Sequence, residues 1–241
     1  MTRTPSIHHF NTDPFNWYVV EEAGRITLVD AGLPGHFGVF AKGLRSLGRE
    51  ITDVDAVILT HAHADHMGFA DRVSRAAKAQ VWIHREDVAA ARRVLQLPWF
   101  ALLSNGWRPF VASTLTKAIY NRVFSSAHVS DPKPFSDGDV LDVPGRPQVM
   151  HVPGHTPGSV GFYFPSADTL ICGDALVTRD LYTGRHSAPQ LMRPALNHNN
   201  SQALKSIDRF ADLGHLKLLT GHGRLWEGDL REAVEHAHGQ L

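Results

Sequence analysis

The stretch Thr60-His-Ala-His-Ala-Asp-His-Met-Gly68 places His61, His63, Asp65 and His66 within six residues. Imidazole nitrogens suit zinc, copper, iron and nickel, and a carboxylate can share or bridge such ions. Four donors packed this closely, directly after an apolar run, point to a metal site rather than to packed or solvent-facing histidines. A single open catalytic zinc takes three protein ligands in all, so four from one segment hint at two ions.

Such donors converge only if the chain around them is held. Upstream, Asp55-Ala-Val-Ile-Leu59 is a short apolar run that predicts a buried strand. Downstream, Phe69, Val73, Ala76 and Ala77 alternate with Asp71, Arg72, Arg75 and Lys78 at a helical period. The donors are therefore expected on a loop between a strand end and a helix start. Three further positions repeat that layout. His155 follows Gln148-Val-Met-His-Val152, Asp174 follows Thr169-Leu-Ile-Cys172, and His222 follows Leu216-Lys-Leu-Leu-Thr220. A glycine precedes each and permits a tight local backbone. Taken singly these are weak signals, since Gly221-His-Gly223 is as readily a plain turn. Together with the first cluster they supply seven donors on four strand ends.

The rest of the chain alternates strands and helices. Asn16–Val20 and Arg25–Val29 predict a hairpin turning at Gly24, and Val160–Phe164 with Thr169–Cys172 a second. Gln80–His84 and Val140–Val143 are short strands, and Gly38–Leu47, Ser201–Leu213 and Leu230–His238 are helices. Helices interleaved with hairpins predict mixed or antiparallel sheets. Arg179 to Asn200 is polar with little period and predicts a long loop that could cover a site. Pro98 to about Ser126 is rich in bulky apolar residues, part of an apolar helical insertion at about 85–126. It is either ordinary core or a lid or apolar wall beside the donors.

Composition bounds the reading. The 241 residues suit one large domain, 1–241, with a buried core. Lys plus Arg and Asp plus Glu are 24 each, so no basic excess points to nucleic acid or an anionic membrane. Cys172 is the only cysteine, which excludes an intrachain disulfide and fits a reducing compartment. The opening residues lack the apolar run of a signal peptide, and no apolar segment is long enough to cross a bilayer. A cytoplasmic protein acting on a small molecule is expected, with no nucleic-acid or membrane partner.

The pieces Leu28-Val-Asp-Ala-Gly32, Thr60–His66, Pro153-Gly-His-Thr-Pro-Gly-Ser159, Gly173-Asp174 and Gly221-His-Gly223 resemble, in order, the motifs of the metallo-β-lactamase superfamily. The resemblance implies an α/β (α+β) fold, the αββα sandwich: two mixed sheets face to face, helices outside, a metal cleft at one edge. It implies that His61, His63 and His155 hold one zinc, that Asp65, His66 and His222 hold a second, and that Asp174 bridges them. Iron or manganese in one or both sites is the alternative. Asp30 stands where the family has an acidic residue beside the ligands, and metal-bound histidines commonly donate their second N–H to such a group. The activity implied is hydrolysis of an ester, thioester, lactone or amide bond by a hydroxide held between two ions, with Asp65 orienting it and passing on a proton.

The same comparison narrows the branch. A class B1 β-lactamase has cysteine where this chain has Asp174, and only 19 residues follow His222, too few for the C-terminal domain of glyoxalase II. A lactonase tyrosine lies closer to the bridging aspartate than Tyr182 does here. The alternatives are a mononuclear-iron, persulfide-dioxygenase-like oxidoreductase and a non-catalytic metal-binding protein. The segment with Arg179, Tyr182, Arg185 and His186 is expected to help shape a pocket for a substrate with an apolar or acyl portion. An exposed aromatic insertion could also pair two chains as a homodimer.

Overall fold

Alternation along the strands decides which way each sheet faces. In the computed structural model, which describes residues 4–93, 104–125 and 127–240, strand β2 (Phe15–Glu22) sends Trp17 and Val19 into one core and Tyr18 and Val20 into another. Its neighbour β3 (Arg25–Val29) divides Ile26 and Leu28 from Val29 in the same manner. The two strands pair antiparallel through a turn at Ala23 and Gly24, both at positive φ, the twist that two-residue hairpins favour.

The first sheet runs β1-β2-β3-β4-β5-β6, with β1 at Ser6–Thr12, β4 at Val54–Ile58, β5 at Gln80–His84 and β6 at Pro132–Phe135. Pairing is antiparallel from β1 to β3 and parallel from β3 to β6. The second runs β13-β12-β9-β8-β7: β7 is Gln148–His151, β8 Val160–Phe164, β9 Thr169–Gly173, β12 His215–Thr220 and β13 Trp226–Asp229. Here β9 and β12 are parallel and the other pairs antiparallel. Both sheets are mixed.

Three apolar layers follow. Val20, Val29 and Ile58 of the first sheet meet Phe162, Phe164 and Ile171 of the second in the central layer. The outer face of the first sheet packs on helices α1 (Phe37–Ser46) and α3 (Ala70–Ala77) through Phe40, Leu44, Phe69 and Val73. The outer face of the second packs Leu170, Cys172 and Leu218 on Phe210 and on helix α7 (Leu230–His238). This is the αββα sandwich. Among the described residues no helix is long and apolar enough to cross a membrane.

The structure differs from the sequence expectation at several elements. Asp65 and His66 stand on a one-turn helix, α2 (Ala64–Met67), rather than on a loop. Val140–Val143 is not a strand; Val140 makes an isolated bridge to Gln148. Strand β6 carries Pro132 and Pro134, which is tolerated because it lies at the sheet edge, where a missing N–H breaks no ladder. The expected loop Arg179–Asn200 contains half of a small two-stranded sheet, β10 (Val177–Arg179) with β11 (His186–Gln190). Within the 85–126 insertion the chain forms α4 (Val88–Ala91) and α5 (Pro109–Tyr120), while residues 94–103 and 126 lie outside the described residues. Trp107 and Tyr120 are 75% and 86% exposed while Val111 and Val123 are buried, so the described part of this segment packs on the core along one side only. Helix α6 (Asn200–Ser206) tightens into a 3-10 turn over Ile207–Leu213.

Candidate metal centre

Strands β4, β7, β9 and β12 all end at the same edge of the sandwich, and the seven donors emerge just beyond those ends. Backbone bonds tie the edge together: Gly221 N donates to Gly173 O at 2.8 Å, and Val160 N to Thr60 O at 2.9 Å. Gly221 is required there. A Cβ on it would stand 2.1 Å from Asp174 Oδ1 and 2.5 Å from the His66 ring.

His61, His63 and His155 form one group. His63 Nδ1 lies 3.1 Å from His61 Nε2 and 2.9 Å from His155 Nε2. Nitrogens about a tetrahedral zinc would be about 3.3 Å apart, so one cation fits with little movement. The remaining ring nitrogens set the tautomers. Thr60 Oγ1 donates to Asp30 Oδ2 at 2.8 Å, which leaves it to accept from His61 Nδ1 at 3.0 Å. Asn197 Nδ2 donates to Met192 O and Asn200 Oδ1, turning its oxygen toward His155 Nδ1 at 3.1 Å. His61 and His155 therefore offer Nε2 as a lone pair.

Asp65, His66 and His222 form a second group, with Asp65 Oδ2 3.4 Å from His222 Nε2 and 3.9 Å from His66 Nε2. His66 Nδ1 donates to Asp30 Oδ2 at 2.8 Å, and His222 Nδ1 to Pro14 O at 2.9 Å. Both again aim Nε2 inward. Asp174 stands between the groups. Its Oδ1 is 3.4 Å from His66 Nε2, and its Oδ2 is 3.2 Å from His222 Nε2 and 3.4 Å from His155 Nε2.

The electrostatics divide along the same line. Burial pushes His61 and His63 below the ordinary imidazole value and His155 down to about 4, which favours uncharged rings that each keep one N–H and one lone pair. Burial also opposes charge on His222, but Asp174 and Asp65 outweigh it and raise His222 to about 10. His66 is raised against burial by Asp174, Asp30 and Asp65. Burial opposes charge on Asp65 and Asp174 too, yet the facing histidines hold both carboxyls below the usual range. His66 Nε2, His222 Nε2 and Asp174 Oδ1 are buried with no hydrogen-bond partner. Such orphans ordinarily cost about 1–3 kcal/mol each. Three at one point, amid surplus carboxylate, fit divalent cations as the missing partner.

Three supporting residues carry no local sequence signal. Asp87 is buried and accepts from Ala62 N at 3.0 Å, Thr156 Oγ1 at 2.7 Å and Gly158 N at 2.9 Å, joining the two donor loops. Nothing in Arg85-Glu-Asp87 separates it from Glu86. Asn197 lies in the stretch that lacks period, and Thr60 resembles any strand-end residue.

A cavity of about 350 Å³ opens onto the donors. His63, Asp65, His155, Asp174 and His222 line its floor. Leu115, Ala118 and Ile119 of α5 form one wall, and Leu181, Met192 and Leu196 another. A second cavity of about 270 Å³ lies across His63 and His155, beside Ala90, Pro157 and His198. The structure does not bring Arg179, Tyr182, Arg185 or His186 to the described wall of either. The β10–β11 pairing puts Arg179 opposite His186, and the Arg179 guanidinium is taken by Asp13 and the Phe110 ring. Arg185 and His186 are exposed, and the Tyr182 ring packs beside the Arg108 and Arg193 guanidinium groups.

Comparison with known proteins agrees with this architecture. The chain is similar to the uncharacterized protein YobT of Bacillus subtilis (strain 168), 28% identical over 229 residues, 93% of this chain and 91% of that protein. It is 26% identical to the probable metallo-hydrolase YflN of the same organism, over 90% of this chain and 83% of that one. Among solved structures, the metallo-beta-lactamase family protein TTHA1429 from Thermus thermophilus superposes with a TM-score of 0.71 at 28% identity, covering 98% of this chain and 79% of that chain. TTHA1623, solved in a di-iron-bound form, shares the fold at a TM-score of 0.60 and 24% identity, covering 93% of this chain and 96% of that chain. The family model of the metallo-beta-lactamase superfamily matches residues 11–222, from the second half of β1 to the last donor, and the chain belongs to that superfamily.

Proposed function

We propose that this protein is a dinuclear zinc hydrolase acting on an ester, thioester, lactone or amide bond. The observation that carries the reading is the position of Asp174, whose two oxygens reach donors of both groups within 3.4 Å. His61, His63 and His155 would hold one ion, Asp65, His66 and His222 the other, and Asp174 both. Two such ions supply Lewis acidity and a water that loses its proton near neutral pH. The chain's own residues do the rest. Asp65 has 26% of its side chain open to the cavity, so its outer oxygen can take a proton and return it to the leaving group. Asp30 holds His66 directly and His61 through Thr60, fixing one imidazole in each group. The apolar walls exclude water around the reacting bond.

Five imidazoles and two carboxylates suit zinc, and the relative YflN carries the name of a probable metallo-hydrolase. The alternatives, a mononuclear-iron oxygenase and a non-catalytic metal-binding protein, differ from this reading in metal content and in turnover. A reducing, cytoplasmic setting fits the buried thiol of Cys172. The test is elemental analysis with a panel of esters, thioesters, lactones and amides. About two zinc per chain and hydrolysis of a panel member are expected. His155→Ala and Asp174→Ala should each lose at least about a hundredfold in rate. Full activity in both variants, or one iron per chain, refutes the reading.

A further inference from the structure

We infer that the 350 Å³ cavity selects substrates by an uncharged apolar chain, with α5 as the gauge of its length. The inference rests on the hydrolase reading and names the substrate class of that same site. Away from the donors the described wall is apolar apart from Thr114: α5 and the turn after it give Leu115, Ala118, Ile119 and Val123, faced by Phe15 and Leu33. No Lys or Arg stands on it among the described residues, and residues 94–103 add no charged side chain to the sequence. Four nearby cations are engaged elsewhere. Arg179 and Lys117 pair with Asp13, Arg193 pairs with Asp180, and Arg108 bonds Asn105 and stacks on Trp107. A substrate carboxylate would be buried here without a partner, at a cost that an apolar chain avoids. Ile119 and Phe124 line the cavity and are 57% and 53% exposed, so they form its rim and let a chain enter from solvent.

The chemistry at the floor places the scissile carbonyl over Asp65 and Asp174, with the chain running along α5. Each methylene buried there should improve binding about fourfold until the cavity is full.

The experiment uses the zinc-loaded full chain and a series of straight-chain hydroxamic acids from acetyl to dodecanoyl, which anchor on metal and need no turnover. Affinity is read by calorimetry, beside the same acyl series as 4-nitrophenyl esters. The expected result is an affinity rising about fourfold per methylene to a break, with a terminal carboxylate on the longer chains abolishing the gain. Leu115→Asp should flatten the rise and Ala118→Phe should move the break to a shorter chain; the wild-type series decides alone if either fails to fold. Binding that does not depend on chain length overturns this inference and leaves the metal reading intact. Absence of binding by every hydroxamate overturns both.

Discussion

Asp30→Asn is the sharpest single probe of how the centre is built. Asp30 Oδ1 accepts the Thr60 backbone N–H at 2.8 Å, and Oδ2 accepts from Thr60 Oγ1 and His66 Nδ1, both at 2.8 Å. An asparagine has one oxygen for these two places. The Thr60 N–H cannot turn away, so the amide oxygen stays at the Oδ1 position and the NH₂ faces His66. Two donors then oppose each other at 2.8 Å. His66 relieves this by moving its proton from Nδ1 to Nε2, which points at Asp174 Oδ1, 3.4 Å away. The lone pair meant for the second ion is lost. His61 keeps its bond to the Thr60 hydroxyl, so the first ion is affected less. Outer partners of metal-bound histidines are worth about 10–100-fold in affinity, or about 1.4–2.7 kcal/mol. Competition against a chromogenic chelator should find one zinc held as in the wild type and the other released 10–100-fold more readily. In metal-free protein, losing a bond to a charged group should cost about 1.5–3 kcal/mol in urea unfolding. Two zinc equivalents at wild-type affinity would refute the assignment of Asp30 as the group orienting His66.

Other perturbations test separate parts. Gly221→Ala drives a methyl into Asp174 Oδ1, so the variant should lose bound metal even where circular dichroism shows the fold retained. Asp87→Ala strands two backbone N–H groups and the Thr156 hydroxyl, and should cost about 3–5 kcal/mol in urea unfolding while loosening the His155 loop. Burial, more than neighbouring charge, depresses His36 and His84 to about 4 in the folded state. The unfolded chain therefore binds more protons between about pH 4 and 6.5, and stability is full above that window and falls as pH drops through it. The wild-type minus His84→Gln difference in unfolding free energy, measured across that range, isolates this slope from the donor histidines; a flat difference would contradict it.

Much of this was legible because it is local. Apolar period marked β4, β5, β8, β9 and α7 within a residue or so at each end; the four-donor run after β4, with three donors next to glycines at other strand ends, named the seven that converge. Edge elements escaped for an equally local reason. Ser6–Thr12 is polar, β6 holds two prolines and β13 is four residues long, so none has the pattern of a buried strand.

Residue types and their spacing by themselves determined the chemistry, since imidazole and carboxylate are metal donors in any fold. The family resemblance implied how the donors would divide, and only the tertiary structure supplies what aims them, because those contacts join distant parts of the chain. His222 is held by Pro14 O across 208 positions, His66 by Asp30 across 36, and His155 by Asn197 across 42. The cavity wall was decided the same way. Arg179 is free in the sequence and tied to Asp13 in the folded chain, 166 positions away, which takes its charge from the pocket and leaves the wall to Leu115 and Leu181.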